Sequence, residues 1–225
     1  MVQAFLANAA ATSQLTLMEA WQSGGWIMWV LLVMSVVGVA ICLYFLATLR
    51  VGAVVPQRLR RDLPKYLLSD DANEARRLCE DKPSPLSAVM LVTLEAIRNA
   101  PRANAELIAK VAEAEGARQA DQLQGRTQWL LDIATIAPMV GLLGTVFGML
   151  QAFGAVASDV AAAKPTLLAA GVSQAIVTTI FGLLVAIPAM ICYAYFRRRA
   201  SQLISELEGA CAELVAVLGS KHAQE

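Results

Sequence analysis

Long apolar runs separated by charged stretches divide this chain. Three segments contain no Asp, Glu, Lys or Arg: residues 20–49, 133–157 and 166–196. Each exceeds the roughly 20 residues that an α-helix needs to cross the hydrocarbon of a bilayer. The pattern predicts three transmembrane helices, because the remaining sequence is too short to bury three such stretches inside a water-soluble core. The chain is 57% hydrophobic, which agrees with the membrane class.

The polar remainder reads as helix, not strand. Asp71-Ala-Asn-Glu74 is a capping pattern, and Ser84 followed by Pro85 is a standard helix entry. A further helix is predicted from about Pro101, with only Gly116 and Gly125 as weak breakers before Trp129. If it runs on into the second span it is about 85 Å long, at ~1.5 Å per residue. Leu203, Leu207, Leu214 and Leu218 recur at helical intervals after the third span and extend that helix as well. At the other end, Thr16 and Glu19 form a capping box, and Leu15, Met18 and Trp21 share one face. That pattern predicts a short amphipathic helix on the membrane surface, with Gly24 and Gly25 turning the chain into the bilayer.

The predicted fold class is an all-α integral membrane protein with three transmembrane helices, two of them extended into a cytoplasmic helical bundle. Residues 1–24 are the amphipathic segment, 25–49 the first span and 50–128 a helical loop. Residues 129–157 are the second span, 158–166 a short hairpin, 167–196 the third span and 197–225 a helical tail.

Charge orients these pieces. Residues 50–128 hold 13 of the 18 Lys and Arg, and the tail holds four more, including Arg197, Arg198 and Arg199. Residues 1–25 hold none and the hairpin only Lys164. The positive-inside rule places the N-terminus outside and the loop and tail in the cytoplasm. The loop's 11 acidic residues make a solvated, partly paired surface the expectation, with no nucleic acid as partner. Residues 1–17 lack a basic stretch, so no secretory signal peptide is expected. Cys42, Cys79, Cys192 and Cys211 show no metal or redox spacing, and neither disulfides nor a metal nor a cofactor is expected. His222, the one histidine, sits at the far end of the tail.

Small residues recur every three or four positions in two spans: Gly141, Gly144, Gly148, Ala152 and Ala155 in the second, and Gly171, Ala175, Gly182, Ala186 and Ala189 in the third, with Thr178 or Thr179 filling the gap. Such stripes let helix backbones approach in a membrane. The first span is bulkier and reads as lipid-facing. Polar groups at depth are Thr145 and Gln151 in the second span and Ser173, Gln174, Thr178 and Thr179 in the third. Two readings stand for the hydroxyls: bonding back to their own helix, or lining a pore. Counting from Arg126 and Arg197 puts Thr145 and Thr179 about 28 and 27 Å from the basic end, nearly level on antiparallel helices. Pro138 and Pro188 bend their helices, either as plain structure or to widen an inner vestibule. Asp132 is the one carboxylate near a span, either paired with Arg126 or hydrated. Threonine and glutamine do not exchange protons at physiological pH, so a proton path here needs a carboxylate from another polypeptide.

The stretch Ala137-Pro-Met-Val-Gly-Leu-Leu-Gly-Thr-Val-Phe-Gly-Met-Leu150 and the stretch Gly171-Val-Ser-Gln-Ala-Ile-Val-Thr-Thr-Ile-Phe-Gly-Leu-Leu-Val-Ala-Ile-Pro-Ala189 closely resemble the signature of the ExbB/TolQ/MotA family. The resemblance implies a homopentamer in the bacterial inner membrane, with its N-terminus in the periplasm. Its second and third helices line a pore around the span of an ExbD- or TolR-like partner, whose aspartate carries the proton. Thr145 and Thr179 match the family's pore threonines. Many members carry Glu where Gln174 stands, so a charged ring at that level is absent here. The partner would pass force to a TonB-like protein, making the chain the stator of a molecular motor for TonB-dependent transport.

Three spans and 225 residues argue against the four-span MotA type. ExbB-like and TolQ-like roles stay open, with the amphipathic N-terminal segment favouring ExbB, and so does a non-conducting membrane scaffold. An enzyme is not expected, because the chain presents no nucleophile with its base, metal cluster or phosphate loop.

Overall fold

A computed structural model describes residues 24–69, 71–100, 104–158 and 165–222. The predicted amphipathic helix around Thr16 and Glu19, and Lys164 of the hairpin, lie outside the described residues. The structure is all α-helical, and no strand occurs among the described residues. Three helices are long and apolar enough to cross a membrane, and two of these run on well past their apolar stretch.

The first, α1, covers Ile27–Thr48. Gly25 supplies the turn before it, at φ +65°, a conformation that side-chain-bearing residues resist. Short helices follow: α2 (Val51–Val54), α3 (Gln57–Leu68), α4 (Ala72–Asp81) and α5 (Pro85–Asn99). The expected caps are present. Asp71 accepts from the Glu74 amide, and Ser84 and Ser87 exchange reciprocal bonds across Pro85 in the first turn of α5. The two long helices are α6 (Ala105–Ser158, 54 residues) and α7 (Pro165–His222, 58 residues). α6 begins at Ala105, where Asn104 Oδ1 caps the Leu107 amide at 2.9 Å. It continues through Gly116 and Gly125, and both long helices continue through their prolines, Pro138 and Pro188.

The chain divides into two compact units. One comprises the residues up to Val39 together with Leu131–Met190, and the other Ala40–Leu130 together with Ile191–Glu225. In the first, Ile27, Met28 and Leu31 of α1 bury against Ala137 and Ala186. Large apolar side chains on all three helices of this unit are left exposed, for example Val33, Leu150 and Ile187. Such a surface is tolerated against lipid or another helix, not against water. In the second unit, Leu59, Leu63 and Leu67 of α3 and Leu86, Val89 and Met90 of α5 close over α7. There Leu203, Leu207, Leu214 and Leu218, the leucines picked out by spacing, are all buried. Arg60 of α3 makes a forked pair with Glu213 of α7, at 3.1 and 3.2 Å. Both partners are exposed, so solvent screens the pair.

Candidate functional site

The small residues bring α6 and α7 backbone to backbone within the first unit. A methyl group added at Gly182 would stand 2.8 Å from the Ala137 carbonyl and 3.1 Å from the Gly141 Cα. One added at Gly141 would stand 2.9 Å from the Thr178 carbonyl, and one at Gly148 would stand 3.2 Å from the Gly171 carbonyl. These neighbours are backbone atoms and do not give way. The glycine stripe is therefore the surface on which the two helices lock.

Three threonines sit in this seam or beside it, and the structure separates them. Thr178 is fully buried in the notch that Gly144 leaves open; its hydroxyl donates to Ala175 O at 2.8 Å and lies 3.3 Å from Gly141 O on the other helix. Thr145 is half-buried, and its hydroxyl bonds back to Leu142 O at 2.7 Å. Thr179 differs from both. Its Oγ1 is buried and is the one such side-chain atom without a hydrogen-bond partner among the described residues. An unmet hydroxyl in an apolar setting costs about 1–3 kcal/mol. Gln174 lies beside the turn that begins α1, where a methyl group at Gly25 would come within 3.3 Å of its Nε2.

The two family-matching hydroxyls are not level, as counting from the arginines suggested. Thr179 Cα lies beside Gly141, and Thr145 is four residues further along α6, about 6 Å at the rise of a helix. The backbone positions that carry the two hydroxyls thus stand about one turn apart. Asp132 is half-buried, and among the described residues no ion pair joins it to Arg126.

A pocket around Arg197 holds Gln124, Gln128 and Tyr193. No motif singles these out in the sequence. The signal is their spacing, since Gln124 and Gln128 stand four apart shortly before one uncharged run, and Tyr193 and Arg197 four apart across the end of the other.

Fold and seam together define a membrane protein with three spans, the second and third held by close backbone contact around a buried, unmet hydroxyl. Residues 81–209, more than half of the chain, match the MotA/TolQ/ExbB proton channel family. Among curated relatives, the Tol-Pal system protein TolQ of Pseudomonas aeruginosa is 32% identical over 121 residues, 54% of this chain and 52% of that protein. The biopolymer transport protein ExbB of Xanthomonas campestris pv. campestris is 28% identical over 152 residues, 61% of this chain and 60% of that protein. The biopolymer transport protein exbB1 of Vibrio cholerae is 40% identical over 72 residues, 32% of each chain. The chain thus spans at most about three-fifths of these relatives' length. It belongs to the MotA/TolQ/ExbB proton channel family.

Proposed function

We propose that the chain is the channel and stator subunit of a motor driven by the proton gradient across the bacterial inner membrane. It works as a pentamer enclosing the single span of an ExbD-like partner, whose carboxylate carries the proton. The basic loop and tail face the cytoplasm and the N-terminus the periplasm, in keeping with the distribution of Lys and Arg. The partner in turn acts on a TonB-like protein to energise transport across the outer membrane.

One observation carries this reading: the unpartnered hydroxyl of Thr179, in a stretch with no ionisable group of its own. A group left unmet in the single chain is poised for water or an acid supplied by a second polypeptide. Thr145 provides the next step one turn along, while Thr178 and Gln174 complete the polar level from within the protomer. A proton crossing about 150 mV releases roughly 3.5 kcal/mol, enough to bias one rotation or gating step of the partner.

The test is proton uptake into vesicles containing the chain with its single-span partner. Thr179→Val keeps shape and removes the hydroxyl. Flux should fall at least about tenfold, the scale of one lost positioning contact, with the assembly unchanged in size. Unchanged flux in an intact Thr179→Val assembly defeats the reading and leaves the scaffold alternative.

A TolQ-like place in the Tol-Pal system is the second reading, favoured by the identity to the Pseudomonas protein. Loss of TonB-dependent uptake on deletion supports the ExbB-like role. Intact uptake with a leaky envelope supports the other.

A further inference from the structure

Within the second unit, α6 and α7 leave a largely apolar groove of about 620 Å³ between them. That volume is in the range of clefts that hold a ligand, well beyond a packing fault. Its lining is mostly small side chains, chiefly Ala109, Ala112 and Gly116 on α6 and Ala212 and Ala216 on α7. Gly116 does not serve close helix contact as the seam glycines do. A methyl group added there meets nothing within 4 Å, whereas those at Gly141 and Gly182 run into backbone. The charged groups lining the groove are Glu113 and Glu208, one on each helix. Both are exposed, and among the described residues neither has an ion-pair partner. Glu106, Glu115 and Glu213 on the same helices are paired, with Lys110, Arg118 and Arg60. The groove therefore offers an apolar bed with an uncompensated negative rim.

Helical spacing relates this groove to the threonines. Gly116 and Ala109 precede Thr145 by 29 and 36 residues, and Glu208 and Val215 follow Thr179 by the same 29 and 36. Those intervals are eight and ten turns at about 3.6 residues each, so the groove residues share a helix face with the two threonines. A molecule enclosed at the threonines and continuing along that face runs toward the groove. In the function proposed above that molecule is the single-span partner. Its outer part acts on a TonB-like protein, so what it presents inside is the flank of its span. Such cytoplasmic flanks are rich in Lys and Arg over about 15–20 residues. Glu208 lies 11 residues beyond Arg197, about 16 Å, within reach of a flank of that length. The level between carries Asp121 as well as Arg197, so it opposes a basic segment with no net charge.

We propose that the groove docks the basic cytoplasmic flank of the single-span partner. The flank lies in it as an amphipathic segment: apolar side chains fill the space over Ala112 and Gly116, and Lys or Arg residues pair with Glu113 and Glu208. Docking there rests on the partner being enclosed as proposed above, and extends the grip on it from the membrane into the cytoplasm.

The test uses the full chain co-expressed with its single-span partner. A photoreactive benzoylphenylalanine replaces Thr145 in one preparation, Gly116 in a second and Ala212 in a third, and crosslinked peptides are identified by mass spectrometry. Gly116 faces open space and Ala212 is exposed, so two independent positions admit the probe. The Thr145 probe should capture the partner's span, and the Gly116 and Ala212 probes its cytoplasmic flank. Glu113→Gln together with Glu208→Gln should lower flank capture about threefold, the scale of two screened ion pairs, and raised salt should do the same to the unmodified rim. Gly116→Leu fills the groove and should abolish capture at Ala212. A partner caught at Thr145 but at neither groove position overturns the docking and leaves the channel reading standing; a partner caught at none of the three overturns both. Capture of a second copy of this chain at Gly116 and Ala212 would make the groove a contact between protomers, and overturns the proposal too. So does flank capture that is indifferent to the two glutamates and to salt.

Discussion

Gly182 and Gly209 are the same residue in opposite settings. A methyl group at Gly182 meets backbone on the facing helix, while one at Gly209 meets nothing within 4 Å. Gly182→Ala should therefore cost about 1–3 kcal/mol, since the helices must separate to admit it. Gly209→Ala should add about 0.5–1 kcal/mol by relieving a flexible residue inside a helix. Thermal unfolding in detergent, followed by circular dichroism, checks both signs. The buried thiols of the second unit give a pH prediction. Burial, helped by Glu80 and Glu208 respectively, pushes Cys79 up to about 12 and Cys211 to about 11. Both folded values exceed the unfolded one, so their contribution is whole below about pH 9 and fades as pH rises toward 11 and 12. The second unit should loosen over that alkaline window, and Cys79→Ala with Cys211→Ala should flatten that part of the profile. The stripe of small residues and the three threonines were all legible in the sequence. Which threonine lacks a partner was not, because back-bonding to i−3 or i−4 depends on the rotamer that the facing helix permits.

Among the elements, the signals that came through were those with a fixed local geometry. Asp71 caps where its spacing to Glu74 says it should, and Ser84 where the following Pro85 says it should, because a cap needs only its own first turn. Ser84→Ala removes one side of the reciprocal pair and should cost about 1 kcal/mol in thermal unfolding. The start of α6 was less legible. Pro101 suggested an entry, yet the helix begins at Ala105 behind Asn104, whose amide oxygen satisfies the Leu107 N–H. The continuity of α6 and α7 was legible, since neither Gly116 and Gly125 nor the internal prolines outweigh an apolar or leucine-spaced run of this length. What failed was the level of one helix against the other. That depends on how Gly141, Gly148 and Gly182 seat, and counting from charged residues is blind to it.

At the scale of the molecule, the membrane segments of this family member carry hydroxyls, amides and close-packed glycines but no acid or base. From residue 133 to 157 and from 166 to 196 no side chain changes protonation at physiological pH except by leaving its ordinary range. A proton crossing this stretch needs a carrier that picks it up on one side and releases it on the other. Thr179 and Thr145, about one turn apart, can orient such a carrier or the water beside it, but cannot replace it. The chain reconstituted alone should therefore hold a pH gradient across a vesicle, and adding the single-span partner proposed above should collapse it. A partner with its span carboxylate changed to the amide should bind and leave the gradient standing. Fluorescence of a trapped pH dye reads all three preparations. Rapid collapse with the chain alone would mean that water threads the bundle without an acid, and the division of labour between hydroxyl and carboxylate would have to be abandoned.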